Sequence, residues 1–172
     1  MRVFYSLILF FFLFSGISYS GETIRFIDIN YIVNNSDAGK SLNKIIEKRN
    51  QTIENDIKNL AKKLEDQKNK IVSQKNILKK EEFDKLVINY DKDLKNFNNI
   101  RKKKKEEFDK FRIESSKKIL DLLNPIITNF LKSESIKILL QKEKIIFADD
   151  ELDITKEILE LFNNKHKKIK FE

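Results

Sequence analysis

The 172-residue sequence has no cysteine, one histidine, one proline and three glycines. Lack of cysteine removes disulfides, thiolate metal sites, a cysteine nucleophile and a lipid-modified N-terminal cysteine. It is compatible with an oxidising compartment without requiring one. The single histidine, His166, lies in a basic terminal stretch and reads as a surface residue, so a histidine-based general base or metal cluster is excluded. Three glycines and one proline are too few turn-formers for an all-β fold with many hairpins, so helix should prevail. No glycine-rich phosphate loop and no Ser/His/Asp set is found. Catalysis, ATP use and a bound cofactor are therefore not expected.

Apolar runs are equally scarce, with one exception. Met1-Arg2 is followed by twelve residues, Val3 to Phe14, in which only Ser6 is polar, and then by small residues at Ser18 and Ser20. That order is the pattern of a secretory signal cleaved after Ser20. A retained anchor would need about 20 apolar residues. The expected mature chain therefore runs over 21–172, as a single domain.

Within it, Thr23 to Ile29 is short, apolar and β-branched and reads as a strand. Asn34-Asn-Ser-Asp37 is a turn with N-cap chemistry ahead of a helix. From Leu42 an apolar seam then advances in steps of three and four through Ile46, Ile53, Ile57, Leu60, Leu64, Ile71 and Leu78, interrupted by Arg49, Gln67 and Gln74. A second seam includes Phe83, Tyr90, Phe97, Phe108 and Phe111. Seams of this kind with charged flanks predict coiled-coil packing. No Gly or Pro separates the two, so periodicity alone leaves a hairpin and one continuous rod both open. Pro125 is expected to end or kink the second helix. Two short strands are predicted after it, over Ile136 to Leu140 and Ile145 to Ala148, then a helix over 154–162 and an unstructured basic tail over 163–172.

Charge is unevenly placed. Residues 58–118 carry 20 basic and 11 acidic side chains, net +9, while the rest of the mature chain is net −2. The peak is Arg101, Lys102, Lys103, Lys104 and Lys105, a basic patch on arms that also carry Val72, Leu86, Ile88, Ile100 and Ile113 off the seam. Such a surface attracts acidic, partly apolar partners. Nucleic acid is the usual one but is not expected for an exported chain, which leaves an anionic membrane surface or an unfolded polypeptide. The carboxylates Asp149, Asp150, Glu151 and Asp153 precede a helix and are read as complementing its positive end rather than as a cation site. Asp28 is read as making a turn-side or interface hydrogen bond.

The strands at the two ends are too small to stand alone and leave open edges. Ile24, Phe26, Ile136, Ile138, Ile145 and Phe147 are therefore expected to build a body shared between copies of the chain. The end segments, IRFIDINYIVNNSDAGK over 24–40 and IKILLQKEKIIFADDELDIT over 136–155 with Lys156 to Leu161 after it, resemble the Skp/OmpH family of periplasmic chaperones. Pro125 stands where family members often kink the returning helix. The resemblance implies an α+β, mostly α, fold. A small β-body is formed over 21–38 and 126–162, and a long antiparallel helical hairpin over 39–123 forms an arm. It further implies a jellyfish-like homotrimer that holds unfolded outer-membrane β-barrel precursors without ATP. A coiled-coil scaffold of the cell envelope is the alternative.

Overall fold

The computed structural model describes residues 23–171, so the expected signal segment lies outside the described residues. Strand β1 (Thr23–Ile27) leads into helices α1 (Ile29–Asn35), α2 (Asp37–Gln74) and α3 (Lys80–Ser133). Strand β2 (Ile136–Gln141), two short 3-10 turns (Lys142–Lys144 and Asp150–Leu152) and helix α4 (Thr155–Lys165) complete the chain. The sheet has two strands in parallel, with Ile24 registered to Ile138, Arg25 to Leu139 and Phe26 to Leu140. A register shift after Thr23 makes Lys137 the extra residue of a bulge.

Helix α1 falls where a strand end and a turn are expected from sequence. Asp28 starts it by accepting the Tyr31 N–H at 2.7 Å, and Ile32 is completely buried. This N-cap is the hydrogen-bonding role of Asp28. Ser36 then ends α1 and caps α2, its hydroxyl accepting the Gly39 N–H at 3.1 Å. A β-carbon on Gly39 would collide with the Val33 carbonyl, so the α1–α2 corner can close only over a glycine.

The core lies where the root of the long helices meets the ends of the chain. Ile27, Ile32, Ala38, Leu42, Phe111, Ile119, Leu123, Ile126, Ile127, Ile154, Ile158 and Phe162 form one buried cluster. The first turns of α2, and α3 from Phe111 onward, thus belong to the body rather than to the arms. Past Ser115 the buried row of α3 continues through Ile119 and Leu123, not through Lys118 and Leu122, where further steps of three and four from Ser115 lead. A coiled-coil stripe has given way to the wider face of a helix on a globular core.

Pro125 neither ends nor divides α3, which runs unbroken to Ser133. The proline faces solvent, where water can satisfy the carbonyl it leaves unpaired, while its neighbours Leu123, Ile126 and Ile127 are buried. Burial of three large side chains, each contributing about 1.5–3 kcal/mol, offsets the roughly 3 kcal/mol cost of an internal proline. The helix stops instead at Ser135, whose φ of 53° is in the left-handed region normally filled by glycine.

Two other expectations are corrected. Ile145 to Ala148 is not a strand, because after the Lys142–Lys144 turn it meets no free strand edge within the described residues. The stretch after 162 is not an unstructured tail: α4 continues to Lys165, Ile169 and Phe171 pack on the core, and Lys118 Nζ donates to the Lys170 carbonyl at 2.8 Å.

The two glycine-type positions predict opposite effects, measurable by chemical denaturation. Gly39→Ala is expected to destabilise by about 3 kcal/mol through overpacking against backbone. Ser135→Gly is expected to stabilise by up to about 1 kcal/mol by relieving left-handed strain.

Candidate functional site

Helices α2 and α3 lie side by side, and three contacts define their alignment. The Arg49 guanidinium stacks 3.7 Å from the Phe111 ring centroid, Lys104 pairs with Asp56 at 2.9 Å, and Gln67 donates to Asp93 at 3.0 Å. The numbers rise along α2 as they fall along α3. Residues 75–79 join the helices without glycine or proline, held by the Ile77 and Leu78 N–H groups donating to the Gln74 carbonyl. The seams step by five residues from Leu78 to Phe83, out of phase with their steps of three and four, and this break falls beside the connector.

The seam between these helices is thinly covered. Among the described residues beyond the root, only Leu64 is buried, while Ile53, Phe83, Tyr90, Phe97 and Phe108 remain half-buried. Two open grooves result. One of about 440 Å³ lies among Ile45, Arg49, Ile53, Lys104 and Phe108. The other, of about 450 Å³, lies nearer the connector among Ile71, Gln74, Leu86 and Tyr90. Both have apolar floors and charged or amide rims. Arg49, an interruption of the seam by sequence, is a structural member of it through its stack on Phe111. An arginine at a seam position opposite an aromatic seam is the signal that marks such a stack.

The basic patch Arg101 to Lys105 is exposed except for half-buried Lys104, and it is largely paired. Lys102 reaches Glu106 and Lys103 reaches Glu107, both at 3.9 Å; Lys104 binds Asp56, and Lys105 binds Asp109 at 2.8 Å. The Lys105 hydrogen bond holds the Asp109 carboxyl below the usual carboxylate range, and Asp109 in turn raises Lys105. Helical i,i+4 spacing makes three of these pairs and the neighbouring helix supplies Asp56 for the fourth, so the local field is weaker than the run of five cations suggests.

At the body, registration places Ile24, Phe26, Ile138 and Leu140 on one face of the sheet. Leu139, not Ile138, is the β2 residue that packs on the core. Phe26 is buried, with Lys142 Nζ 5.6 Å from its ring, and Ile136 is buried at the strand start. Ile24, Ile138 and Leu140 stay open to solvent; Ile145 is half-buried, and Phe147 is 92% exposed beside a fully exposed Ile146. Four of the six expected body residues are thus apolar groups with an open face.

A polar junction fixes the far end of the chain to β1. The Ile154 N–H donates to the Phe26 carbonyl at 3.0 Å, the Asp28 N–H donates to Thr155 Oγ1 at 2.8 Å, and the Thr155 N–H donates to Asp153 Oδ1 at 2.9 Å. Lys142 Nζ closes the ring on Asp153 Oδ2 at 2.8 Å. Burial, the largest single influence on Asp153, pushes its carboxyl up. The Lys142 and Thr155 bonds together outweigh it and hold the group below its ordinary value. Asp149 accepts the Glu151 N–H, so these two acidic residues make turn contacts ahead of α4. Among the described residues no group of His, Asp and Glu side chains is arranged to hold a metal ion.

Two long helices rooted in a two-stranded parallel sheet, with their chemistry displayed on grooves and an outer sheet face, define a long-armed α+β protein. The family model described as outer membrane protein (OmpH-like) matches residues 23–162, and the chain belongs to that family. A candidate outer membrane chaperone (OmpH-like) from Caulobacter crescentus CB15 has a similar solved structure. The TM-score is 0.81 at 13% identity, over 89% of this chain and 90% of that one, a likeness of fold. Comparison with the curated proteins found no match.

Thr155→Val removes the acceptor of the half-buried Asp28 N–H and should cost about 2 kcal/mol in denaturation. Asp153 predicts an acid dependence. Its folded-state pKa lies below the unfolded value, so its contribution is complete above about pH 4 and is lost as pH falls further. In thermal melts Asp153→Asn should lower Tm at neutral pH, and the gap to the native protein should narrow in acid. A constant gap from neutral to acid pH would rule out this role for Asp153.

Proposed function

We propose that this protein is an ATP-independent holdase of the periplasm, which binds unfolded outer-membrane β-barrel precursors until their insertion. The observation that carries the reading is the half-covered aromatic seam of the arms. Phe108 and Tyr90 line the two open grooves, whose rims carry Lys48, Lys104, Lys70 and Lys92, and Phe83 and Phe97 are half-buried on the same helix, in arms that reach about 50 Å beyond the core. A barrel precursor alternates apolar and polar side chains and has no paired edges until it closes. Such a chain is held by many weak contacts, apolar side chains in the grooves and backbone or acidic groups against the rims. The family and the fold of the Caulobacter relative support this reading.

The acting unit in this proposal is a homotrimer with three antiparallel coiled-coil hairpins around a shared β-body. A sheet of two strands is too small to be stable on its own. Exposed Ile24, Ile138, Leu140 and Phe147 would be covered by neighbouring copies, and the unpaired stretch from Ile145 would gain a strand partner there. Export would proceed through a cleaved signal over residues 1–20.

Diluting a denatured β-barrel precursor into buffer with the purified protein should suppress light scattering when one trimer is present per precursor. Unchanged scattering at that ratio would sink the holdase reading. Light scattering of the protein alone should give three times the chain mass at micromolar concentration. Phe147→Asp should lower that mass while leaving the helical circular dichroism signal in place.

A further inference from the structure

The two walls of the groove near the arm root differ in how their charges are compensated. On α3, Lys102, Lys103, Lys105, Lys110 and Lys117 each pair with an acid four residues on, and Lys104 takes Asp56 across the seam. Glu107, which lines the groove beside Lys104, is itself held by Lys103. The α3 wall is therefore close to neutral. On α2 the groove is lined by Lys48 and Arg49. The positions three and four residues from them are Lys44, Ile45, Ile46, Gln51, Thr52 and Ile53, so no acid stands within reach along the helix. Among the described residues neither cation makes an ion pair.

Packing alone does not call for an arginine at position 49. A leucine there would continue the seam and cover Phe111. Arginine instead lays its guanidinium 3.7 Å from the ring centroid of that buried side chain. Stacking uses the face of the guanidinium and fixes its orientation, while the N–H donors lie in its plane and remain available to a carboxylate. Beside it is an apolar floor of Ile45, Ile53 and Phe108. A fixed ionic group next to an apolar floor is a two-part site. Its spacing suits one kind of ligand. Arg49 and Ile53 stand one turn apart on the same face of α2, about 6 Å along its axis. Residues i and i+2 of an extended chain also share a face and lie about 6.6 Å apart, whereas i and i+1 point to opposite faces.

We infer that this groove binds an extended polypeptide through an acidic side chain held by Arg49 and an apolar side chain, two residues along, on the floor at Ile53. The two uncompensated cations select an acidic segment, with Lys48 adding to the field and Arg49 supplying the directed bonds. The inference rests on the holdase reading and names the kind of segment that the arm root takes from an unfolded chain.

The protein has no tryptophan, so a peptide's own tryptophan reports binding without a label. Three heptapeptides of Thr and Ser with blocked ends serve as probes, carrying Glu-Thr-Trp, Gln-Thr-Trp or Thr-Glu-Trp at the centre. The first should bind the purified protein with a blue shift of its emission, and the other two at least about tenfold more weakly. Arg49→Gln should bind the Glu-Thr-Trp and Gln-Thr-Trp peptides equally. Arg49→Lys, which keeps the charge but not the planar fork, should retain part of the preference. Equal binding of the three peptides by the unaltered protein would overturn the inference. So would an Arg49→Gln variant that binds both peptides less well but in an unchanged ratio, since a purely structural arginine gives that result. A changed mass of Arg49→Gln in light scattering would place the groove between copies of the chain and overturn it too. Suppression of aggregation can fail while the peptide preference stands, and the reverse, so the holdase reading and this site are tested apart.

Discussion

Parallel pairing of β1 with β2 is the constraint on which this molecule depends. Parallel neighbours cannot be joined by a tight turn and need a long crossover. Here the crossover is nearly the whole protein, from Asp28 to Ser135, and the two long helices are that connection drawn out to one side. The arms are therefore part of the topology of the sheet. Their roots must return to the same place, which is why the core is shared by Leu42 of α2, Phe111 to Ile127 of α3, and residues from both chain ends.

Packing is graded along this connection. At the root, α3 presents a broad face with Ile119, Leu123, Ile126 and Ile127 all buried. Further out the contact narrows to one stripe that covers its aromatics only in part, and at the connector it ends in exposed Ile77. Burial concentrates in the body, while the arms leave large apolar side chains such as Ile113, Ile88, Val72 and Ile77 exposed along their length. The polar junction of Asp28, Lys142, Asp153 and Thr155 serves the stable end by fixing α4 and the second 3-10 turn to β1.

The long helices were legible because an apolar repeat of three and four is a direct imprint of helix geometry, and it persists for tens of residues. Helix α1 was not, because seven residues hold barely two turns and its apolar positions Ile29, Ile32 and Val33 continue those of β1. The Asp28 cap three residues before Tyr31 was the available clue. Pro125 misled because its local cost is visible in sequence, whereas the burial on either side of it depends on chain ends far away. Leu139 was missed for a related reason: the bulge at Lys137 turns the period of two so that Leu139 meets the core. In the basic run 101–105, charge could be counted from sequence. Its pairing needed the helical spacing to Glu106, Glu107 and Asp109 and the position of Asp56 across the seam.

The parallel sheet also sets an order of events during synthesis. Helices α2 and α3 can coil as soon as they emerge, since their hydrogen bonds are local. β1 emerges first among the described elements yet has no partner until Ile136 to Gln141 appears, and its other edge stays open until Asp153 and Ile154 follow. The chain consequently cannot close its body while its last quarter is still being made. A protein built this way remains threadable, with its N-terminal strand unpaired, for almost the whole time it takes to produce it.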